Sequence, residues 1–126
     1  MLQNFLLVAV GGSMGAMMRY AISLASVQFW GDSFPWGTFL ANSVGCLAMG
    51  FIVGIGLQKD FEVWWLLIGV GVLGSLTTFS TFSAETIQMA LDNRWAGAVF
   101  NACGNVFTCL VSCFVGIFLA RTLAGS

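Results

Sequence analysis

The chain has 126 residues, of which 59% are hydrophobic and 7% are charged, and its formal net charge is −1. Soluble domains carry about 25% charged residues, so this composition excludes a water-soluble fold and predicts an all-α protein embedded in a lipid bilayer. The chain offers no basic patch for nucleic acid, and its lack of histidine excludes histidine-based metal binding or acid–base catalysis. The length predicts one transmembrane domain over residues 1–126.

Four apolar segments are each long enough to cross a bilayer, which takes about 20 helical residues. Turn signals separate them at Gly31-Asp32, Gln58-Lys59-Asp60 and Asp92-Asn93, and tryptophans lie near their ends, as interfacial residues do. The predicted spans run from about Leu2 to Leu24, Trp36 to Leu57, Glu62 to Leu91 and Trp95 to Leu123.

The first span combines closely spaced glycines with an arginine. Gly11 and Gly15 have the GxxxG spacing that lets helix backbones approach closely, and Gly50 and Gly54 repeat it in the second span. Arg19 follows the first pair near the predicted end of the span. It either extends to the membrane interface or forms a positive vestibule that attracts anions.

In the second span, helical spacing places Thr38, Asn42 and Gly45 on one face. The amide NH₂ of Asn42 has two donors that can bind an anion. The alternative is a structural role, in which Asn42 caps a helix or bonds to a neighbouring one.

The third span contains the most informative stretch, GSLTTFSTFS at 74–83, with six hydroxyls inside an apolar sequence. Irregular backbone survives at membrane depth only where it is buried or lines a wet cavity, so we predict a helix break at 74–78 beside an ion path. Phe79 and Phe82 would present electropositive ring edges to an anion, and carbonyls freed by the break could bind Na⁺. Glu85 either functions in transport or pairs with a cation.

The fourth span carries a polar stripe at i, i+4, i+7 and i+11, formed by Asn101, Asn105, Thr108 and Ser112. These side chains either bond to neighbouring helices or form a track for an ion. The four cysteines all lie in apolar runs, which predicts small buried hydrophobic side chains at Cys46, Cys103, Cys109 and Cys113.

The basic residues select no orientation in the membrane. Lys59 and Arg121 fall on one predicted side, and Arg19 and Arg94 on the other. The positive-inside rule then gives no preference, which permits insertion in both orientations and antiparallel pairing of two copies. The alternative is that another signal sets a single orientation.

Three stretches of the chain resemble the Fluc (CrcB) family of fluoride channels: GGSMGAMMRY at 11–20, GTFLANSVG at 37–45 and GVLGSLTTFSTFSAE at 71–85. The resemblance implies an antiparallel, dual-topology homodimer whose four-span subunits have a broken third helix. It also implies passive export of cytoplasmic fluoride across the cell inner (plasma) membrane, with a structural Na⁺ at the dimer axis.

The same resemblance implies roles for individual residues. Backbone carbonyls of Gly74 and Thr77 from both subunits would hold the Na⁺. Thr108-Cys109 stands where the family usually has Gly-Ser, which leaves the fourth-span fluoride ligand open between Thr108 and Ser112. The implied fluoride pathway comprises Phe79, Phe82, Asn42, Ser80, Thr81, Thr108 and Ser112, with Arg19, Glu85 and Thr38 as vestibule or relay residues.

Two other functions remain open on the sequence. A small secondary transporter, such as a multidrug exporter of similar length, would use Glu85 for proton coupling. A scaffold subunit without transport would use its polar stripes only to bond helices together. An enzyme is not expected, because the sequence contains no nucleophile–base pair or cofactor motif.

Overall fold

A computed structural model describes residues 1–57 and 61–125 of the chain, and this part is all-helical. It contains four helical segments long and apolar enough to cross a membrane, which makes the protein a multi-pass membrane protein. The predicted turn at Gln58-Lys59-Asp60, and with it the charge of Lys59, lies outside the described residues. The helices are α1 (Leu2–Trp30), α2 (Trp36–Gly54), α3 (residues 62–76), α4 (Phe79–Leu91) and α5 (Trp95–Ala124).

The ends of the spans follow the predicted turns, with two differences. α1 continues six residues beyond the predicted Leu24 and ends where Gly31 adopts a φ of 76°. α2 ends at Gly54, before Gly56 adopts a φ of 74°, rather than at Leu57. Both glycines occupy the left-handed region that other residues rarely adopt, so each stops its helix.

The glycine pairs bring helices together within one subunit. A Cβ on Gly11 would collide with the carbonyl oxygen of Leu67, and one on Gly15 with that of Val72, so α1 runs parallel to α3. α2 and α5 are also parallel, because Gly50 meets the carbonyl of Cys113 and Gly54, one turn later, meets the carbonyl of Ile117. Close backbone approach through small residues is the usual means of packing helices in lipid.

The third span, α3 and α4 together, is interrupted as predicted, but over fewer residues. Thr77 and Thr78, called the break below, have extended backbone with ψ angles of 150° and 115°. Gly74–Leu76 is helical, so the prediction of a break beginning at Gly74 was wrong. The last turn of α3 is closed by Thr77, whose N–H and hydroxyl both donate to the carbonyl of Leu73. Wide π-helical turns at Trp65–Leu73 precede it.

A small apolar core lies where the second span crosses α3. Ala41, Leu73 and Leu76 are buried there, and Ile22 of α1 packs against them. This core places one face of α2 directly against the break, as the shared burial of Thr38, Asn42 and Gly45 confirms.

Candidate functional site at the broken helix

Asn42 replaces backbone hydrogen bonds that the break removes. Its Oδ1 accepts from the N–H of Thr78 at 2.7 Å, and its Nδ2 donates to the Thr78 carbonyl at 3.2 Å. Nδ2 also donates to Oδ1 of Asn105 at 3.2 Å, which ties α5 to the same point. Because unpaired backbone groups cost several kcal/mol at membrane depth, Asn42 has a structural role at the break.

The carbonyls just before the break have unusual partners. The N–H of Thr78, which a continuous helix would offer to the carbonyl of Gly74, is taken by Asn42. The carbonyl of Ser75 accepts from Nε of Arg19 at 3.1 Å. The structure therefore places Arg19 against the break, a contact that neither sequence-based interpretation of Arg19 included.

The side chain of Thr78 caps the first turn of α4. Its hydroxyl oxygen accepts from the N–H of Thr81 at 3.2 Å, as an N-cap threonine does. The hydroxyls of Ser80 and Thr81 lie 3.3 and 3.0 Å from that of Thr78. Hydroxyls therefore cluster at the start of α4, where the helix dipole favours negative charge.

Phe79 and Phe82 lie side by side after the break, with ring centroids 5.4 Å apart and planes inclined by 53°. Phe82 is only 8% exposed, whereas Phe79 is 77% exposed. Both border a groove of about 280 Å³ that opens on the surface of the subunit. The groove is lined by Asn42, Cys46, Thr77, Thr78, Phe79, Phe82, Asn105, Val106, Cys109 and Leu110.

The fourth span presents Asn105 and Cys109 to this groove, and neither Thr108 nor Ser112 is among the lining residues of the described chain. The thiol of Cys109 donates to Oδ1 of Asn105 at 3.5 Å. Sequence reasoning missed Cys46 and Cys109 as groove residues. The signal was their spacing, because each follows a polar amide by four positions on the same helix face.

The prediction of buried cysteines was wrong. Cys103 is exposed, and the other three are only partly buried. Cys103 lies between Asn101 and Asn105 in sequence, and those two amides occupy the inward face of α5. A residue two positions from each of them must therefore point towards the outside of the helix bundle.

A second cavity of about 490 Å³, called the vestibule here, lies beside the turn between α1 and α2. Thr38 donates to Oε1 of Glu85 at 2.8 Å, while Oε2 of Glu85 is buried without a partner in the described chain. Among the described residues Glu85 bonds to a hydroxyl rather than to a cation. The vestibule lining includes Ser23, Ser26, Thr38, Glu85, Asp92 and Arg94.

Two buried amides of α5 bond to neighbouring helices, Asn101 to α4 and Asn105 to α2. Asn101 of α5 donates to the hydroxyl of Thr86 at 2.9 Å, one residue beyond Glu85. One turn further along α5, Nδ2 of Asn105 is buried and has no acceptor in the described part of the chain. The buried amides Asn101 and Asn105 of the predicted stripe therefore bond helices together, and Asn105 leaves a donor beside the groove; their role as an ion track stays a prediction.

This fold and site define a class: a multi-pass membrane protein in which a broken span borders a groove of amides, hydroxyls, thiols and phenyl rings. The family described as "CrcB-like protein, Camphor Resistance (CrcB)" matches residues 6–117. The chain belongs to this family, as the resemblance of its motifs predicted.

Curated relatives from several species support the same assignment. "Fluoride-specific ion channel FluC" of Shewanella oneidensis is 44% identical over 119 residues, which cover 91% of this chain and 94% of the relative. The protein of the same name from Shewanella putrefaciens is 45% identical over 114 residues, which cover 90% and 92%. These names are those of ion channels, which confirms the expectation that the family is not one of enzymes.

Proposed function

We propose that this chain is a fluoride-selective channel that lets cytoplasmic fluoride leave the cell passively across its inner membrane. The observation that carries the proposal is the unpartnered Nδ2 of Asn105, a buried amide donor in the described chain. It lies at a groove that phenyl rings and a helix N-terminus also border. A buried donor without an acceptor is costly unless a ligand supplies one.

The groove suits a small, strongly hydrated anion. Amide and hydroxyl donors replace water at short range, and the positive edges of Phe79 and Phe82 add favourable electrostatics without a formal charge. Chloride is larger and gains less from donors held this closely. The absence of a fixed cation among the groove-lining residues suits conduction, because an ion must also be released.

A structural Na⁺ fits the donors at the break. The carbonyl of Gly74 has lost the N–H of Thr78, and Gly74 itself is exposed on the subunit surface. Hard cations take such oxygen ligands. We propose that the carbonyls of Gly74 and Thr77 from two subunits would hold Na⁺, whose positive charge offsets part of the cost of an anion in a medium of low dielectric.

An antiparallel homodimer would complete the site. The groove and the broken backbone both open on the surface of one subunit, and irregular backbone does not face lipid. A second copy covers both features, and the near-balanced basic residues allow it to insert in the opposite orientation. Two copies related by a two-fold axis in the membrane plane would provide two equivalent pathways.

Fluoride efflux from liposomes tests the function directly. Purified protein is reconstituted with fluoride inside, and release is followed with a fluoride-selective electrode, with chloride release from matched liposomes as the comparison. We expect rapid fluoride release with no pH gradient and negligible chloride release. Equal release of both anions would refute selectivity, flux that requires a pH gradient would favour a transporter using Glu85, and no flux would favour a scaffold.

Crosslinking tests the arrangement of subunits separately. Single cysteines are placed at Leu2 and at Ala124 in a background that lacks the native cysteines. Both chain ends of a subunit lie on one predicted side of the membrane. In an antiparallel pair, the two chain ends of one subunit therefore lie on the opposite side of the membrane from the two chain ends of its partner. We expect no crosslink between these positions, and efficient crosslinking would contradict the antiparallel dimer.

A further inference from the structure

Two thiols face each other in the groove across parallel helices. Cys46 of α2 and Cys109 of α5 both line it, each one helical turn beyond the amides of Asn42 and Asn105. Those two amides are hydrogen-bonded to each other at 3.2 Å, so the next turn of each helix brings the two thiols to the same part of the groove. One turn beyond the thiols, Gly50 of α2 packs closely against the backbone of Cys113 of α5. This contact fixes how α2 and α5 are aligned along their length.

The ligand chemistry of this pair favours soft metals. Thiolate sulfur selects soft cations, whereas Zn²⁺ in structural sites takes four ligands in tetrahedral geometry. The described residues contain no group of three or more histidine, cysteine or carboxylate side chains arranged to hold a metal. A cation that is satisfied by two sulfurs in linear coordination is therefore the kind that fits.

We propose that Cys46 and Cys109 form a binding site for a soft, two-coordinate cation of the Hg²⁺ or Ag⁺ type, and that occupancy closes the groove to fluoride. Binding of Hg²⁺ forms two Hg–S bonds and releases the two thiol protons to solvent, with no change of oxidation state. The site itself depends only on the two thiols, while closure of the pathway rests on the proposed function.

Closure follows from charge and volume. Hg²⁺ with two thiolates has no net charge, and Ag⁺ with two thiolates has a net charge of −1, so neither complex attracts fluoride. The complex would lie one turn from Asn42 in a groove of only about 280 Å³. Fluoride, a hard anion, binds poorly to soft metals and cannot displace the sulfur ligands.

The site is tested by metal binding in the reconstituted full-length protein, with excess 2-mercaptoethanol to remove metal held by a single thiol. Intact mass and a count of free protein thiols are measured after titration with Hg²⁺ and removal of the 2-mercaptoethanol on a desalting column. We expect one Hg²⁺ per subunit with two thiols consumed. Either Cys46→Ser or Cys109→Ser should weaken binding about a hundredfold, since a second tethered ligand contributes on that order.

Matched variants test which thiols form the site. Cys103→Ser removes an exposed thiol of the same helix and should retain the site unchanged. Retention of bridged Hg²⁺ by the Cys46→Ser/Cys109→Ser double variant would overturn the site, as would its loss in Cys103→Ser. Block by Zn²⁺ at equal concentration would contradict the two-coordinate geometry.

Flux measured on the same liposomes separates the two parts of the proposal. We expect Hg²⁺ to reduce the fluoride efflux of the unmodified protein and of Cys103→Ser to the level of protein-free liposomes, and to leave the efflux of the double variant at that variant's own metal-free rate. Bridged Hg²⁺ with undiminished efflux would overturn closure. Bridged Hg²⁺ in a protein that never releases fluoride would refute the proposed function and leave the metal site standing.

Discussion

The third and fourth spans both carry polar groups through the membrane, but in different ways. α5 runs without interruption from Trp95 to Ala124 and turns its amides Asn101 and Asn105 inward. The third span instead stops being helical at Thr77 and Thr78 and resumes at Phe79. One span contributes side chains to the groove, and the other contributes backbone groups as well.

The difference shows what each arrangement demands of its neighbours. An unbroken helix satisfies its own backbone, so on α5 only the side-chain amides need partners, which Thr86 and Asn42 provide. A break needs outside partners, and here Asn42 bonds to both the N–H and the carbonyl of Thr78, while Arg19 bonds to the carbonyl of Ser75. We therefore expect substitutions at the break to cost more than equivalent substitutions on α5.

The largest effect is expected from Asn42→Asp. The carboxylate keeps an acceptor for the Thr78 N–H, but loses the donors to the Thr78 carbonyl and Asn105, and it adds a negative charge that repels fluoride. Fluoride efflux should fall to that of protein-free liposomes, measured with the fluoride electrode. Ser43→Ala, which removes only a bond within α2, is the control and should conduct normally.

Phe82→Ile and Phe79→Ile should each abolish efflux without unfolding the protein. Isoleucine retains apolar volume but has no positive ring edge to meet an anion. Efflux and the elution volume on size exclusion are measured together, with Phe118→Ile on the exposed face of α5 as the control. Normal efflux in both variants would refute a role for the rings.

Arg19→Met should lower the free energy of unfolding by about 2 kcal/mol, as expected for a hydrogen bond to a charged donor. The thioether retains much of the side-chain length but leaves the Ser75 carbonyl without its partner. Unfolding in denaturant is compared with that of Arg121→Met, which removes an exposed arginine in the last turn of α5. Equal losses in the two variants would show that Arg19 has no specific role at the break.

Thr78→Val should cost about 1 kcal/mol, the usual value for a lost N-cap. The branched shape is retained, but the Thr81 N–H loses its acceptor at the start of α4. Thr78→Ser restores the hydroxyl and should recover most of the stability in the same unfolding measurement. Failure of the serine to do so would assign the loss to packing of the methyl group instead.

The smallest effect is expected on α5. Asn101→Leu removes the bond to Thr86 and should cost about 0.6 kcal/mol, the average for side-chain hydrogen bonds between membrane helices. Asn42→Leu, measured alongside, should cost several times more because it leaves both backbone groups of Thr78 unpaired. Similar losses in the two variants would contradict the difference between the spans.

The local sequence was sufficient to predict the four spans and the presence of a break in the third. Apolar runs and the positions of tryptophan and turn residues predicted four spans, because partition into lipid depends on the segment itself. Hydroxyls clustered at 77–83 predicted an interrupted third helix, since such a segment is a poor lipid-facing helix. Helical spacing likewise predicted the shared face of Thr38, Asn42 and Gly45.

Only the tertiary structure decided which distant groups meet. The partnership of Asn42 with Thr78, the contact of Arg19 with Ser75 and the facing thiols of Cys46 and Cys109 all depend on the register between helices. That register follows from where glycines let two backbones approach, and from how each helix is rotated about its axis. A stripe of polar residues fixes neither, which is why Cys109 lines the groove where the sequence favoured Thr108 or Ser112.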